Sequence, residues 1–166
     1  MNRPESSRLL AAGISEMVVS NNPEDILITY SLGSCVGVTF YDPIHSVGGI
    51  VHCQLPISTS DPEKAKEKPC MFVDTGVVAL LQKVLDMGAD KNQLICKVAG
   101  GGSPLNDNGK FRIGERNYAV LKKVLWKNGI LIKAERVGGS DAKTMYMDIK
   151  TGQTKLRLAG TEEVDL

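Results

Sequence analysis

The chain is poor in the residue types that most site chemistry draws on. Only two histidines, His45 and His52, occur among its 166 residues. Its four cysteines, Cys35, Cys53, Cys70 and Cys96, form no C-x-x-C pair and no His/Cys zinc spacing, so a metal centre is not expected. Basic blocks and basic-aromatic interleaving are missing, and 20 basic residues against 19 acidic ones leave a net charge of +1. A nucleic-acid partner therefore has no electrostatic support. No apolar run approaches membrane-spanning length, and Leu9-Leu-Ala-Ala12 is far shorter than a secretory core, so neither membrane insertion nor export is expected. The chain has no G-x-x-x-x-G-K-[ST], because Gly109-Lys110 is followed by Phe111, and no G-x-G-x-x-G opening a helix. Gly100-Gly-Gly102 then reads as a tight backbone turn, and no nucleotide or other cofactor is expected. Internal repeats and low-complexity segments are absent as well.

What is present is ordinary for a globular domain: 42% apolar and 23% charged residues. The length suits one domain over residues 1–166, placed in the cytoplasm with its thiols reduced. Strands are expected at 17–20 and 26–29 around the turn at 21–23, and then in a hairpin at 36–41 and 47–51. A polar loop at 54–69 contains Pro56, Pro62 and Pro69, with Asp61-Pro62 as a turn or helix start. A helix runs from Asp74 or Thr75, as its cap, to about residue 87, with Val77, Val78, Leu81, Val84 and Leu85 on one face and Gly88 as its stop. A strand at 94–99 precedes a second helix at about 115–127, whose core face is Tyr118, Leu121, Val124 and Leu125. Strands at 130–137, 144–149 and 154–158 complete an α+β pattern.

The hairpin carries the chemistry. Cys35 stands at the entrance of its first strand and His52 at the exit of its second, so antiparallel pairing brings a thiol and an imidazole to one end. A loop of 42–45 puts Cys35 opposite His52; a loop one residue longer puts Val36 opposite His52 and turns the imidazole to the other face. Gly33-Ser34 before Cys35 forms a turn whose N–H groups suit both an oxyanion site and a lowered thiol pKa. His45, in the hairpin linker, reads as a solvated turn residue. Cys53, Cys70 and Cys96 read as small core residues, with exposure left open for Cys70 at the end of the polar loop.

Thr29-x-x-x-Gly33-Ser34-Cys35, the hairpin with Asp42-Pro43 and Gly48-Gly49, and His52 with Leu55-Pro56 together resemble the CheD family of chemoreceptor glutamine deamidases. The resemblance continues through Val73-Asp74, Met87-Gly88-Ala89, Gly100-Gly-Gly102, Ile113-Gly-Glu-Arg-Asn117, Gly138-Gly139 and Thr151-Gly152, covering about residues 14–158. It departs at Ser140-Asp-Ala-Lys143, where the family usually shows x-x-Gly-Arg, and at Gly102-Ser103-Pro104. The resemblance implies a cysteine-hydrolase fold similar to deamidating toxins, with packed mixed β-sheets and flanking helices. It also implies a catalytic set of Cys35, His52 and Thr29, with Ser34 and Gly33 supporting the oxyanion. On sequence grounds alone Thr29 reads equally well as a β-branched strand residue.

The implied reaction is hydrolysis of glutamine side chains on methyl-accepting chemotaxis receptors, with His52 holding Cys35 as a thiolate in an ion pair. A CheC-type phosphatase is an implied partner. Two other readings stay open: a transamidating or proteolytic enzyme using the same dyad, and a non-enzymatic adaptor for the receptor or phosphatase.

Overall fold

The computed structural model describes residues 7–104, 111–158 and 162–166; Gly109-Lys110 lies outside them. Among the described residues there are ten strands. They are β1 (Arg8–Ala11), β2 (Met17–Ser20), β3 (Asp25–Leu32), β4 (Val36–Asp42), β5 (Val47–Cys53), β6 (Ile95–Gly100), β7 (Ile132–Val137), β8 (Lys143–Asp148), β9 (Thr154–Arg157) and β10 (Glu163–Asp165). The helices are α1 (Pro62–Glu67), α2 (Val73–Asp86) and α3 (Ile113–Lys127). The first sheet runs β1-β3-β8-β9-β10 and the second β2-β5-β4-β6-β7. Each is mixed, through the parallel pairs β1–β3 and β6–β7. The α+β architecture with packed mixed sheets and flanking helices is the expected one.

Alternation along β4 and β5 builds three layers. Val36, Val38, Phe40, Val47, Val51 and Cys53 face α2 and α3, packing on Val73, Val77, Leu80, Leu121 and Leu125. The opposite faces, with Tyr41 and Ile50, pack on Leu27, Leu32, Met145, Met147 and Leu156 of the first sheet. Both strands are thus buried on both faces, which is why they read as nearly continuous apolar runs.

Local differences from the sequence reading have identifiable causes. Helix α2 starts at Val73 with Phe72 in the cap position, because the Asp74 carboxylate is taken by the Ser58 amide (2.9 Å) and hydroxyl (2.8 Å). That pair fastens the loop after β5 to the start of α2. Val78 turns to solvent, while Gly76 and Leu80 join the buried face. Strand β3 extends to Leu32 through a bulge in which Ser31 takes a positive φ of 55° and Tyr30 is exposed. The short β1 and β10 carry too few residues to show a periodicity, and they form by adding to β3 and β9. No helix among the described residues is long and apolar enough to cross a membrane.

Candidate active site

Both proposed hairpin registers are corrected by the structure. Asp42 pairs with Val47, Gly37 with His52 and Val36 with Cys53. Asp42 sets this register: its Oδ1 accepts from the Ile44 (2.8 Å) and His45 (3.1 Å) amides, and its Oδ2 meets His45 Nδ1 at 2.7 Å. The loop is therefore 43–46, with Asp42 inside the strand. His45 is a bound turn residue, half exposed, and takes no part in the site. Relative to Cys35-opposite-His52 the ladder has moved by two residues, and a shift of two preserves the face. Cys35 packs against the inter-sheet core, the side on which His52 meets the first sheet. The two side chains are diagonal neighbours across Gly37.

Thr29 of β3 faces His52 from the other sheet. Its Oγ1 lies 2.7 Å from His52 Nδ1 and 2.7 Å from the Ala12 carbonyl, and both side chains are buried. A hydroxyl has one hydrogen, and a carbonyl only accepts, so Thr29 donates to Ala12 and accepts from Nδ1–H. The imidazole is thereby fixed as the Nδ1–H tautomer. Its Nε2 is left as a lone pair that is buried and, among the described residues, unpartnered. The backbone of His52 is held too: its N–H donates to the Glu16 carbonyl (3.0 Å) and its carbonyl accepts from Ser15 (2.9 Å).

Three carbonyls anchor the loop before β4. Gly33 O accepts from Gly102 N and Cys35 O from Gly101 N, both at 2.8 Å, and Ser34 O accepts from Asn117 Nδ2 at 2.9 Å. No peptide among the described residues is cis, so each N–H points opposite to the carbonyl of its own peptide unit. The Ser34 and Cys35 amides consequently aim away from the scaffold, and among the described residues they donate to no main-chain carbonyl. Gly100 makes this contact feasible: it has φ of 100°, and a Cβ there would overlap the Cys35 carbonyl.

Electrostatics depart from the ion pair expected from the sequence. Burial pushes the Cys35 thiol above its ordinary value, offset only in part by its own amide. Burial also lowers His52. Both shifts favour the neutral forms, and among the described residues no opposite charge acts on either group to reverse them. At neutral pH the pair rests as thiol and imidazole, with Nε2 free to take a proton.

The other cysteines are buried, including Cys70, which is only 6% exposed, so exposure at the end of the polar loop is not found. Cys70 is covered because the chain turns back there, and its backbone lies against Gly76 of α2. Sequence reasoning missed two participants. One is the Ala12 carbonyl, which no side-chain pattern reveals. The other is Asn117, whose signal was a polar residue on the apolar helix face of Leu121, Val124 and Leu125. A cleft of about 610 Å³ between Lys91–Ile95 and Asn128–Lys133 lies at the end of β6 remote from Gly100, and hence from Cys35.

Comparison with known proteins gives the family. The family model described as CheD chemotactic sensory transduction matches residues 54–158, more than half of the chain. The chain is 42% identical to a "Probable chemoreceptor glutamine deamidase CheD" of Solibacter usitatus, over 93% of this chain and 91% of that protein. It is 46% identical to "CheD 1" of the same description from Syntrophus aciditrophicus (89% and 92% covered) and 39% identical to the Pyrococcus abyssi protein (91% and 92%). Among solved structures, the Bacillus licheniformis hypothetical protein YfiH aligns with a TM-score of 0.43 and 18% identity, over 75% of this chain and 50% of that one. With relatives of this identity matching nearly end to end, the chain belongs to the CheD family.

Proposed function

We propose that the protein is a protein-glutamine glutaminase acting on chemoreceptors, with Cys35 as nucleophile, His52 as base and acid, and Thr29 as the group that orients His52. The observation that carries this reading is the Ala12–Thr29–His52 chain of hydrogen bonds, which spends Nδ1–H and presents Nε2 as the acceptor. The names carried by the relatives supply the substrate class.

In the first step the Cys35 Sγ–H proton passes to Nε2 as sulfur attacks the glutamine δ-carbon, and the C=O π pair moves onto oxygen. The Ser34 and Cys35 amides are the donors placed to meet that oxyanion. The imidazolium is stabilised by the Nδ1–H···Oγ1 bond and gives its proton to the leaving nitrogen. The C–N bond breaks, ammonia departs, and a thioester remains. His52, neutral again, takes a proton from water as its oxygen attacks the thioester. The tetrahedral adduct collapses, the C–S bond breaks and the leaving sulfur takes the proton back from His52, giving glutamate and the Cys35 thiol. Concerted proton transfer of this kind fits a resting pair that is neutral.

We place this activity in the cytoplasm, where the four unpaired thiols stay reduced and the signalling segments of receptors lie. A receptor-mimicking phosphatase of the CheC type is proposed to occupy the same mouth. Incubating the protein with receptor cytoplasmic fragments, followed by peptide mass spectrometry, tests the reading. Glutamine converted to glutamate, one mass unit heavier, supports it; unmodified glutamines overturn it.

A further inference from the structure

Asn117 is fully buried on α3, among Leu121, Val124 and Leu125 on the same helix face. Its side-chain amide donates both hydrogens to main-chain carbonyls, Ser34 O at 2.9 Å and Gln54 O at 3.1 Å. Ser34 adjoins Cys35, and Gln54 lies two residues beyond His52. Meanwhile Asn117 Oδ1 is buried and, among the described residues, has no partner. A buried, unpaired acceptor works against stability. The amide group is therefore held here for its two donors and not for packing.

The helix reaches this position through Gly114. A Cβ at Gly114 would overlap the backbone of Gly101 and Gly102, so only glycine lets the first turn of α3 lie on the loop that also holds Gly33 and Cys35. Asn117 follows one turn later and spans from the nucleophile loop to the end of β5.

We infer that Asn117 is the positioning residue of the oxyanion site: it fixes the Ser34–Cys35 peptide so that the Cys35 N–H faces the developing oxyanion, and it ties that peptide to the strand carrying His52. With Ser34 O bonded to the helix, the Cys35 N–H points away from the helix. Gly102 N acts on the Gly33–Ser34 peptide in the same way. This role rests on the reading of Cys35 as nucleophile, and it adds a residue that never touches substrate.

The test separates oxyanion stabilisation from thiol reactivity. Alkylation of Cys35 by iodoacetamide displaces iodide and forms no oxyanion. Addition of butanal to the same sulfur forms an S–C bond, opens the C=O π bond and returns the thiol proton to oxygen, so it calls on the same amides. Asn117→Ala should lower kcat on receptor fragments roughly 100-fold, the scale of losing one oxyanion donor. KM and the iodoacetamide rate at Cys35 should stay within threefold, while protection of Cys35 by butanal weakens in parallel with kcat. Asn117→Asp, of the same shape but without the amide donors, should behave alike and serves if the alanine variant fails to fold. The role is overturned if kcat stays within threefold of wild type, or if iodoacetamide labelling slows as much as kcat does. Should the wild type itself deamidate nothing, the proposed function fails, and butanal protection alone decides on Asn117: weakened protection upholds its role and unchanged protection overturns it.

Discussion

Gly37, and not Cys35, stands directly across the ladder from His52. The space a side chain would take at Gly37 is filled by Leu32 and Met145 of the inter-sheet core, and Cys35 and His52 lie on a diagonal across it. Removing either end of that diagonal should stop turnover. Cys35→Ser, nearly isosteric, should reduce deamidation of receptor fragments by at least about 1,000-fold with the thermal transition unchanged, and His52→Ala by at least about 100-fold. A serine variant working at the wild-type rate would remove Cys35 from the mechanism.

Thr29 separates orientation from chemistry. Thr29→Val keeps the shape but leaves both Nδ1–H and the Ala12 carbonyl without a partner, at a cost of about 1–3 kcal/mol for each buried group. Activity should fall roughly 10- to 100-fold, because the imidazole is no longer held in one tautomer. Thr29→Ser, which keeps the hydroxyl, should recover most of both losses. Equal activity in the valine and serine variants, measured alongside their melting temperatures, would leave Thr29 as a packing residue only.

The pH profile follows from the two shifts. Burial lowers His52, so the imidazole stays neutral through pH 7 and protonates only below its ordinary 6.5. Activity needing free Nε2 should hold level from pH 7 to 9 and decline on the acid side, with a midpoint below 6.5. The same shift bears on stability. Below 6.5 the unfolded chain takes up a proton that the folded chain resists, so stability falls as pH drops from 6.5 towards the folded-state pKa and is unaffected by this group above 6.5. Nitrogen NMR of His52 at pH 7 should show the neutral Nδ1–H form; an imidazolium signal there would restore the ion-pair mechanism.

Alkylation needs no substrate. Cys35 is the one cysteine of the four that is not buried, whereas Cys53, Cys70 and Cys96 all lie in the core. Limiting iodoacetamide should label Cys35 first. With the thiol pKa raised, the rate should climb about tenfold per unit between pH 7 and 9 without levelling. A plateau already reached by pH 7 would reveal a lowered pKa, and equal labelling of Cys35 and Cys70 would contradict the burial pattern.

Competition tests the partner reading. A CheC-type phosphatase and a receptor fragment should exclude one another, so rising phosphatase should slow deamidation to zero. A ternary complex that deamidates at full rate would place the phosphatase on another surface.

Much of this site was legible in the linear chain. The chemistry of Cys35 and His52 and the glycine-bearing turn before them are local features, and so is the amphipathic spacing of α3. The family motif added Thr29. What could not be read was the register, because the Asp42 carboxylate gathers the turn amides from inside the strand and moves the four-residue loop one position along the chain. Nor could the resting charges be read, since they depend on how deeply two sheets bury a thiol and an imidazole. Asn117 appeared only as the last residue of the Ile113–Asn117 stretch shared with the family, with no role attached, and its two partners, Ser34 and Gln54, are 83 and 63 residues away in the chain.

The proposed base and the hydroxyl proposed to orient it belong to different sheets: His52 rides on the second and Thr29 on the first, joined across the sandwich by one 2.7 Å bond. That bond works as a slip gauge. A slide of one sheet over the other by a single ångström stretches it beyond use, while the apolar contacts around it, broad and without direction, barely notice. Loss of enzymatic power should therefore run ahead of loss of shape on heating or in mild denaturant, and mutations far from Cys35 that loosen the sandwich should silence the protein before they unfold it.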